Sequence, residues 1–178
     1  MSIAASTQPL VTIGMPVYNS ERHLAQSIES LLAQTYRDFV MVISDNASTD
    51  GTADICQRYV RQDPRVQYFR NAVNVGMTGN FNCVFELTHT KYLKWSTADD
   101  FWAPDMLADA VAVMEADPSI VLCYPKTIIV DGEGREQGRY EDKLHLMQND
   151  PAERFLAVIE NIRLVNHHLG LLRTDTIR

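Results

Sequence analysis

Residues 39–51 of the chain, FVMVISDNASTDG, decide its fold class. The run from Phe39 to Ser44 is apolar and lacks the alternation of a half-exposed strand, which is typical of a parallel strand covered on both faces. Polar residues begin at Asp45, and Asp50-Gly51 has the composition of a turn before a helix. A buried strand that ends in polar side chains indicates an α/β domain, in which ligands collect beyond the carboxyl ends of the strands.

Apolar runs and amphipathic stretches alternate on both sides of this strand. Upstream, the run 10–15 ends at Pro16 and predicts a strand, and the spacing over 24–32 predicts an amphipathic helix with Asn19 or Ser20 as its cap. Downstream, we expect strands at 66–69, 92–95, 120–124, 127–130 and 169–172, and helices over 55–60, 81–87, 104–114 and 151–162. This order predicts an α/β domain with a mostly parallel central sheet and right-handed crossovers.

The chain changes character after Val130. Residues 131–145 are rich in charge and glycine and predict a hairpin or a mobile loop. Asp150-Pro151 is a strong helix start, with the aspartate as cap and the proline at the first helical position. The buried side of that helix is expected to consist of Phe155, Leu156, Ile159 and Ile162. We therefore divide one predicted domain, 1–178, into residues 1–130 and 131–178.

Composition and charge exclude several classes of protein. The length of 178 residues suits one domain with a substantial core. The net charge of −7 argues against nucleic-acid binding, because phosphate backbones are bound mainly through lysine and arginine. Cys56, Cys83 and Cys123 lie in apolar stretches, form no zinc pattern and are expected to be buried thiols. The first residues have no signal-peptide pattern and no stretch is apolar enough to span a membrane, so we expect a cytoplasmic protein.

Asp99 and Asp100 directly follow the strand predicted at 92–95. Adjacent carboxylates repel each other unless a cation offsets their charge, and Mg²⁺ or Mn²⁺ prefers such oxygen ligands together with substrate phosphates. The alternative is that the pair caps a helix starting at Pro104, and for the dipeptide alone this alternative is favoured. The position of the pair at a strand end, after Asp45 and Asn82 in the chain, favours a metal site instead.

Further polar side chains at the strand ends are candidates for ligand binding. Asp45 can accept a hydrogen bond from a pyrimidine imide or from ribose hydroxyls, whereas Asp50 is expected to shape the turn. Tyr18 either packs against a base or is an ordinary loop tyrosine. Asn82 lies in a predicted helix, where asparagine has poor propensity, and this suggests a hydrogen-bonding role. Trp102, in the loop beside the acidic pair, is a candidate for stacking on a sugar face.

Several segments of the chain match a known family in the right order. They are Pro16-Val17-Tyr18-Asn19, Leu31-Leu32-Ala33-Gln34-Thr35-Tyr36, Asp45-Asn46-Ala47-Ser48-Thr49-Asp50-Gly51-Thr52, Asn74-x-Gly76, Asn82, Tyr92 and Ala98-Asp99-Asp100-x-x-x-Pro104. Each is weak alone, but from Val11 to about Arg173 the ordered set resembles the inverting glycosyltransferases of family 2. The resemblance implies the GT-A fold, a Rossmann-type three-layer domain. It also implies transfer of a sugar from a nucleoside diphosphate-sugar donor to an acceptor hydroxyl with inversion.

The resemblance implies a role for each matched residue. The nucleotide site would comprise Pro16, Tyr18, Asn19, Asp45, Asn82 and Asp99. In it, Asp45 would contact the base, Asp99 would ligate Mg²⁺ or Mn²⁺, and Asp100 would support that metal site. The family places another aspartate two residues before the metal ligand, where this chain has Thr97. That departure removes a carboxylate that normally contacts the ribose or the diphosphate, although a threonine hydroxyl can still form a hydrogen bond.

The implied reaction is a single displacement. A carboxylate takes the acceptor proton as general base, while the metal stabilises the departing diphosphate. In this family the base follows the metal site by a long interval, and Asp175 is expected to start a helix rather than to act as that base. We therefore expect the base to lie beyond Arg178, so that this chain is a truncated piece, incomplete on the acceptor side, which binds the donor but transfers the sugar poorly.

Two other interpretations compete with this one. A sugar-nucleotide-forming nucleotidyltransferase would need a glycine-rich and basic phosphate loop after the first strand, and this chain has Pro-Val-Tyr-Asn there. A non-catalytic nucleotide-sugar-binding domain is favoured by Thr97 and by the missing base, and it stays open. The family suggests a saccharide or lipid-linked acceptor in polysaccharide biosynthesis, and it is compatible with peripheral association with a membrane.

Overall fold

The structure, a computed structural model, describes residues 8–141 and 144–177. Its elements are β1 (Val11–Val17), α1 (Leu24–Leu32), β2 (Phe39–Asp45), α2 (Thr52–Gln62), β3 (Val66–Arg70), α3 (Gly76–Glu86), β4 (Tyr92–Trp95), α4 (Met106–Ala116), β5 (Leu122–Cys123), β6 (Thr127–Val130), β7 (Glu136–Tyr140), α5 (Pro151–Asn161) and β8 (Leu171–Arg173). None of the helices within the described ranges has the length and apolarity needed to cross a bilayer. Residues 1–7, on which the expected lack of a signal peptide partly depends, lie outside the described residues.

Six strands form one sheet in the order β3-β2-β1-β4-β8-β5. The four strands β3, β2, β1 and β4 are parallel, whereas β8 is antiparallel to β4 and to β5. The prediction of an α/β fold with a mostly parallel central sheet is therefore confirmed. In the antiparallel pair, Cys123 of β5 lies opposite Leu171 of β8. The strands β6 and β7 form a separate antiparallel ribbon.

Helices cover the sheet on both faces and give it three layers. On one face, the alternate residues Ile13 of β1 and Ile43 of β2 pack in a core with side chains of α1, α2 and α4. On the other face, α3 lies against β1, where Gly14 faces Val84. A Cβ atom at Gly14 would come within 2.5 Å of the Cγ1 atom of Val84, so only glycine permits this close approach. Coverage on both faces explains why β2 is apolar from Phe39 to Ile43.

The chain divides into two compact units. The first comprises the described residues through Cys123 together with those from Leu169 onward, and it contains the six-stranded sheet. The second is Tyr124–His168, which contains the β6–β7 ribbon and α5. The division predicted at residue 130 falls inside the second unit. Of the two alternatives predicted for 131–145, a hairpin or a mobile loop, the structure shows a hairpin that begins earlier, at β6, and has its turn and second strand within 131–140. Residues 142 and 143 lie outside the described part of the chain.

Two helix starts differ from the sequence prediction. The cap position of α1 is His23, which makes no capping side-chain bond, so the prediction of Asn19 or Ser20 is wrong. The side chain of Asn19 is used elsewhere, because its Oδ1 atom accepts a hydrogen bond from the backbone N–H of Thr49. The helix α4 begins at Met106 rather than at Pro104, with Asp105 in the cap position.

The amphipathic pattern of α5 predicts a buried side that the described structure does not contain. Asp150 caps the helix by accepting a hydrogen bond from the backbone N–H of Ala152, and a proline follows it, as predicted. The expected buried residues Phe155, Leu156 and Ile159 are, however, 65%, 55% and 57% exposed. Periodicity shows which side chains share a face of a helix, but it does not show whether another element covers that face. Within the described residues, α5 has no buried residue at all.

Candidate functional site

The loops after β1 and β2 are joined by hydrogen bonds at the carboxyl edge of the sheet. The backbone N–H of Asn19 donates to the Oγ atom of Ser48, and the Oδ1 atom of Asn19 accepts from the backbone N–H of Thr49. Asn19 and Ala47 both adopt left-handed backbone conformations, with φ values of 48° and 61°. Among the described residues other than glycine, they alone have positive φ. These two strained backbone conformations are thus part of the arrangement that holds the two loops together.

Asp45, the last residue of β2, has a fully buried carboxylate with three partners. Its Oδ1 atom accepts a hydrogen bond from the backbone N–H of Ser48 at 2.8 Å. Its Oδ2 atom accepts one from the hydroxyl of Tyr68 at 2.7 Å and one from the Nη1 atom of Arg70 at 3.2 Å. The side chain of Asp45 is 0% exposed, whereas that of Arg70 is 44% exposed. The guanidinium of Arg70 is therefore the charged group of this cluster that solvent and ligands can reach.

The buried carboxylate affects two neighbouring titratable groups. Burial, together with the hydrogen bond to Asp45, raises the pKa of Tyr68 to about 12. Burial, with a contribution from the charge of Asp45, raises the pKa of Cys56 to about 12. The prediction of buried thiols is confirmed for Cys56, while Cys83 and Cys123 are only partly buried. Cys56 is therefore an unreactive thiol of the core.

Two buried asparagines, Asn46 and Asn80, bind the carboxyl ends of the strands to α3. The Nδ2 atom of Asn80 donates to the carbonyls of Ser44 and Val17, at 2.9 and 3.3 Å. The Oδ1 atom of Asn46 accepts from the backbone N–H of Val75, just before α3. Asn82, the predicted asparagine of this region, is exposed on α3 instead. Sequence reasoning missed Asn80 because Asn80 and Asn82 have the same poor helix propensity. Only the packing of α3 distinguishes these two residues.

The acidic pair lies in the loop that follows β4. Asp99 is exposed, and Asp100 is partly buried. The hydroxyl of Thr97 donates to the Oδ2 atom of Asp100 at 2.5 Å. Thr97 thus orients Asp100, and Asp99 is left as the open carboxylate. In residues 8–141 and 144–177, no group of three or more histidine, cysteine, aspartate or glutamate side chains could hold a metal ion by itself.

A buried lysine lies beside this loop. Lys94 of β4 is 0% exposed, and its Nζ atom donates to the carbonyl of Trp95 at 2.9 Å and to that of Leu169 at 3.4 Å. The same atom lies 3.0 Å from the ring centroid of Trp102. Burial lowers the pKa of Lys94 well below its ordinary value, and the charge of Asp100 opposes that shift. Because one face of Trp102 is covered by Lys94, the predicted stacking on a sugar can use only the other face.

The predicted site residues occupy one edge of the sheet but differ in accessibility. Since β1 lies between β2 and β4, the strand ends that lead to Asp45 and Asp99 are two strand spacings apart, roughly 10 Å. Tyr18, after β1, is 49% exposed. Pro16 lies within β1 and is partly buried, opposite Ser44. Asp45 and Asp99 therefore flank the loop that contains Tyr18.

Comparisons with known proteins agree with this architecture. The sequence model described as "Glycosyl transferase family 2" matches residues 12–173. An uncharacterized glycosyltransferase of Haemophilus influenzae is 29% identical over 175 residues, which cover 96% of this chain and 68% of the relative. The crystal structure of S. aureus TarS 1-349 in complex with UDP has a TM-score of 0.68 at 17% identity, over 94% of this chain and 47% of that one.

A second solved structure is a mannosyltransferase, PcManGT from Pyrobaculum calidifontis, in complex with GDP-Man and Mn²⁺. It has a TM-score of 0.64 at 19% identity, over 94% of this chain and 45% of that one. These structural similarities concern the fold. The curated relatives are longer proteins, of which this chain spans between 14% and 68%.

Proposed function

The chain belongs to glycosyl transferase family 2, and from this premise we propose that it binds a nucleoside diphosphate-sugar at the carboxyl edge of β1, β2 and β4. In this proposal, Mg²⁺ or Mn²⁺ binds at Asp99 and the sugar passes with inversion to a hydroxyl of a saccharide or lipid-linked acceptor. The structures with UDP and with GDP-Man and Mn²⁺ support this class of donor and of cation. The cytoplasmic location stays a prediction.

One observation carries the proposal: Asp99 is an exposed carboxylate at the end of a strand, next to a second carboxylate that Thr97 already orients. This donor set fits a hard divalent cation that takes few protein ligands and completes its shell with water and phosphate oxygens. It does not fit a cation that needs three or four protein ligands, because the described residues offer no such group. A cation bound there would stabilise charge on the departing diphosphate.

The buried state of Asp45 refines the proposed contact with the base. Both carboxylate oxygens already accept hydrogen bonds within the chain, and Arg70 lies on the exposed side. A base N–H group reaches the Oδ2 atom only when Arg70 moves away from it. We therefore assign the nucleotide contact at this strand end to Arg70 and Asp45 together. The remaining predicted contacts, from Pro16, Tyr18, Asn19 and Asn82, are retained.

The proposed roles of this chain are to bind and orient the donor. In this proposal Asp99, supported by Asp100, binds the diphosphate of the donor through the cation. The Arg70–Asp45 pair contacts the nucleotide base of the donor. The general base that takes the proton of the acceptor hydroxyl is not assigned to any residue in 8–141 or 144–177.

Calorimetric titration tests this assignment directly. UDP, GDP and dTDP are titrated into the chain with and without Mn²⁺, and we expect one of them to bind more tightly with the cation. Asp99→Asn should remove the gain that Mn²⁺ provides. The control is Glu86→Gln, which removes an exposed charge at the far end of α3. A chain that binds none of the three nucleotides, or a Mn²⁺ effect that survives Asp99→Asn, would overturn the proposal.

A non-catalytic nucleotide-sugar-binding domain is the second candidate. It is favoured by Thr97, whose hydroxyl is committed to Asp100 where the family has another carboxylate. Steady release of UDP or GDP from UDP-glucose, UDP-GlcNAc or GDP-mannose would refute the second candidate. Binding without turnover fits both candidates, because no general base is assigned within the described residues.

A further inference from the structure

The segment between β4 and α4, residues 96–105, is called the acidic loop. Side chains of α1 form hydrogen bonds with its backbone. The Oγ atom of Ser27 donates to the carbonyl of Thr97 at 2.9 Å. The Oγ atom of Ser30 accepts from the backbone N–H of Trp102 at 3.2 Å. Asp99 lies between these two anchored positions. Its place at the edge of the sheet is therefore set by side chains about 70 residues away in sequence.

Gln34, just after α1, connects this loop to α4, beside Thr35, which forms hydrogen bonds with Pro104 and Asp105. Gln34 is 0% exposed, and its Nε2 atom donates to the carbonyl of Ala103 at 2.7 Å. Its Oε1 atom accepts from the backbone N–H of Leu107, in the first turn of α4, at 2.9 Å. The cap residue of that helix, Asp105, makes no side-chain capping bond, so Gln34 supplies the missing cap.

The chemistry of this contact requires a carboxamide. One side chain must donate to a carbonyl and accept from an N–H at the same time, over a span of only a few backbone atoms. Glutamine does both in one plane, whereas a carboxylate only accepts and an ammonium only donates. Both backbone groups lose their hydrogen bond to this side chain if Gln34 is replaced by an apolar residue. The end of the acidic loop then keeps the hydrogen bonds of Thr35 to Pro104 and Asp105, which do not reach the backbone groups of Ala103 and Leu107.

We propose that Gln34 is a positioning residue for Asp99, which it holds by fixing the carboxyl end of the acidic loop. The inference rests on the proposed function, because it assigns to Gln34 a part of the affinity for the cation. Gln34 touches neither nucleotide nor cation in this proposal.

The first test needs no ligand. Amide hydrogen exchange is followed in Gln34→Met, which keeps the length of the side chain but loses its three hydrogen bonds, to Ala103, Leu107 and the carbonyl of Ser30. The control is Thr12→Val, which removes the hydroxyl that accepts from Thr90 near the start of β1. Exchange across the acidic loop and at Leu107 should become about tenfold faster in Gln34→Met only. Equal protection of the loop in both variants would overturn the inference.

The second test connects the loop to the cation. The affinity for UDP, GDP and dTDP is measured with and without Mn²⁺. For the nucleotide that binds, we expect Gln34→Met to weaken the Mn²⁺-dependent part about fivefold to tenfold and to leave the metal-free part unchanged. Ser27→Ala, a milder change at the other end of the loop, should act in the same direction. An equal loss with and without Mn²⁺ would mean a merely structural role and would overturn the inference.

The two proposals fail in different ways. Failure of the unchanged chain to bind any nucleotide contradicts the proposed function, while the exchange data still decide whether Gln34 holds the loop. Normal Mn²⁺-dependent binding by Gln34→Met contradicts the inference and leaves the proposed function intact.

Discussion

Replacement of Asp45 by asparagine tests whether the chain itself needs this carboxylate. The amide keeps an oxygen for the backbone N–H of Ser48 but places an NH₂ group where Oδ2 accepts two hydrogen bonds. The hydroxyl of Tyr68 can rotate and accept from the amide, so that bond is exchanged rather than lost. The guanidinium of Arg70 cannot accept, so its charge-assisted hydrogen bond disappears.

The expected cost follows from this inventory. One hydrogen bond to a charged group contributes about 1.5–3 kcal/mol, and the lower half of that range applies because Arg70 is 44% exposed and its charge is screened. We therefore expect Asp45→Asn to lower the free energy of unfolding by about 2 kcal/mol. Urea denaturation at neutral pH, with an unchanged dependence on urea concentration, measures this loss.

A spectroscopic titration gives a second, independent readout. In the unchanged chain Tyr68 should ionise near pH 12, and in Asp45→Asn its pKa should fall, although burial keeps it above the ordinary value. Asp54→Asn, at an exposed position of α2, serves as the control for the loss of one charge. Unchanged stability combined with an unchanged tyrosine titration would refute the argument that Tyr68 and Arg70 hold Asp45.

Three further results are expected. Gly14→Ala should lower the free energy of unfolding in urea by about 1–3 kcal/mol, because the added methyl meets Val84 at 2.5 Å. The loss should be smaller in a Val84→Ala background, where the contacts with Trp95 and Leu93 at 3.2 and 3.3 Å remain, and equal losses in both backgrounds would exclude the contact with Val84. Between pH 10 and about 12 the raised pKa of Tyr68 makes the folded chain bind more protons than the unfolded one, so stability should fall as pH rises. Tyr68→Phe should make the loss of stability with rising pH less steep. An unchanged dependence on pH would argue against Tyr68 as its source. Phe155→Ser should change the free energy of unfolding by less than about 0.5 kcal/mol, since the ring is 65% exposed, and a larger loss would show that it is covered in solution.

The elements that sequence reasoning predicted well are those whose signals are local. The apolar run that ends at Asp45 and the helical spacing over 24–32 each depend on neighbouring residues, and both elements are present at these positions. Strand β8 was predicted at nearly the right place, but its antiparallel direction was not, because a short apolar run carries no information about direction.

The parts of the site that sequence reasoning missed depend on contacts between distant residues. Gln34 was noticed only as part of a motif, because its partners Ala103 and Leu107 are close to it only after folding. The buried environment of Asp45 was missed for the same reason, since Tyr68 and Arg70 come from the next strand. Polar residues at strand ends could be predicted as a group, whereas their exposure could not.

The pairing of β5 with β8 has a consequence for how such chains vary. Because Cys123 lies opposite Leu171, the chain leaves the sheet and returns to it at points about 5 Å apart. Neighbouring antiparallel strands can be closed by a turn of about two residues, so the sheet itself sets no minimum length for the segment between them. Insertions or deletions in the segment after Cys123 would therefore leave the pairing of β5 with β8 possible, and the strands that lead to Asp45 and Asp99 would keep their register.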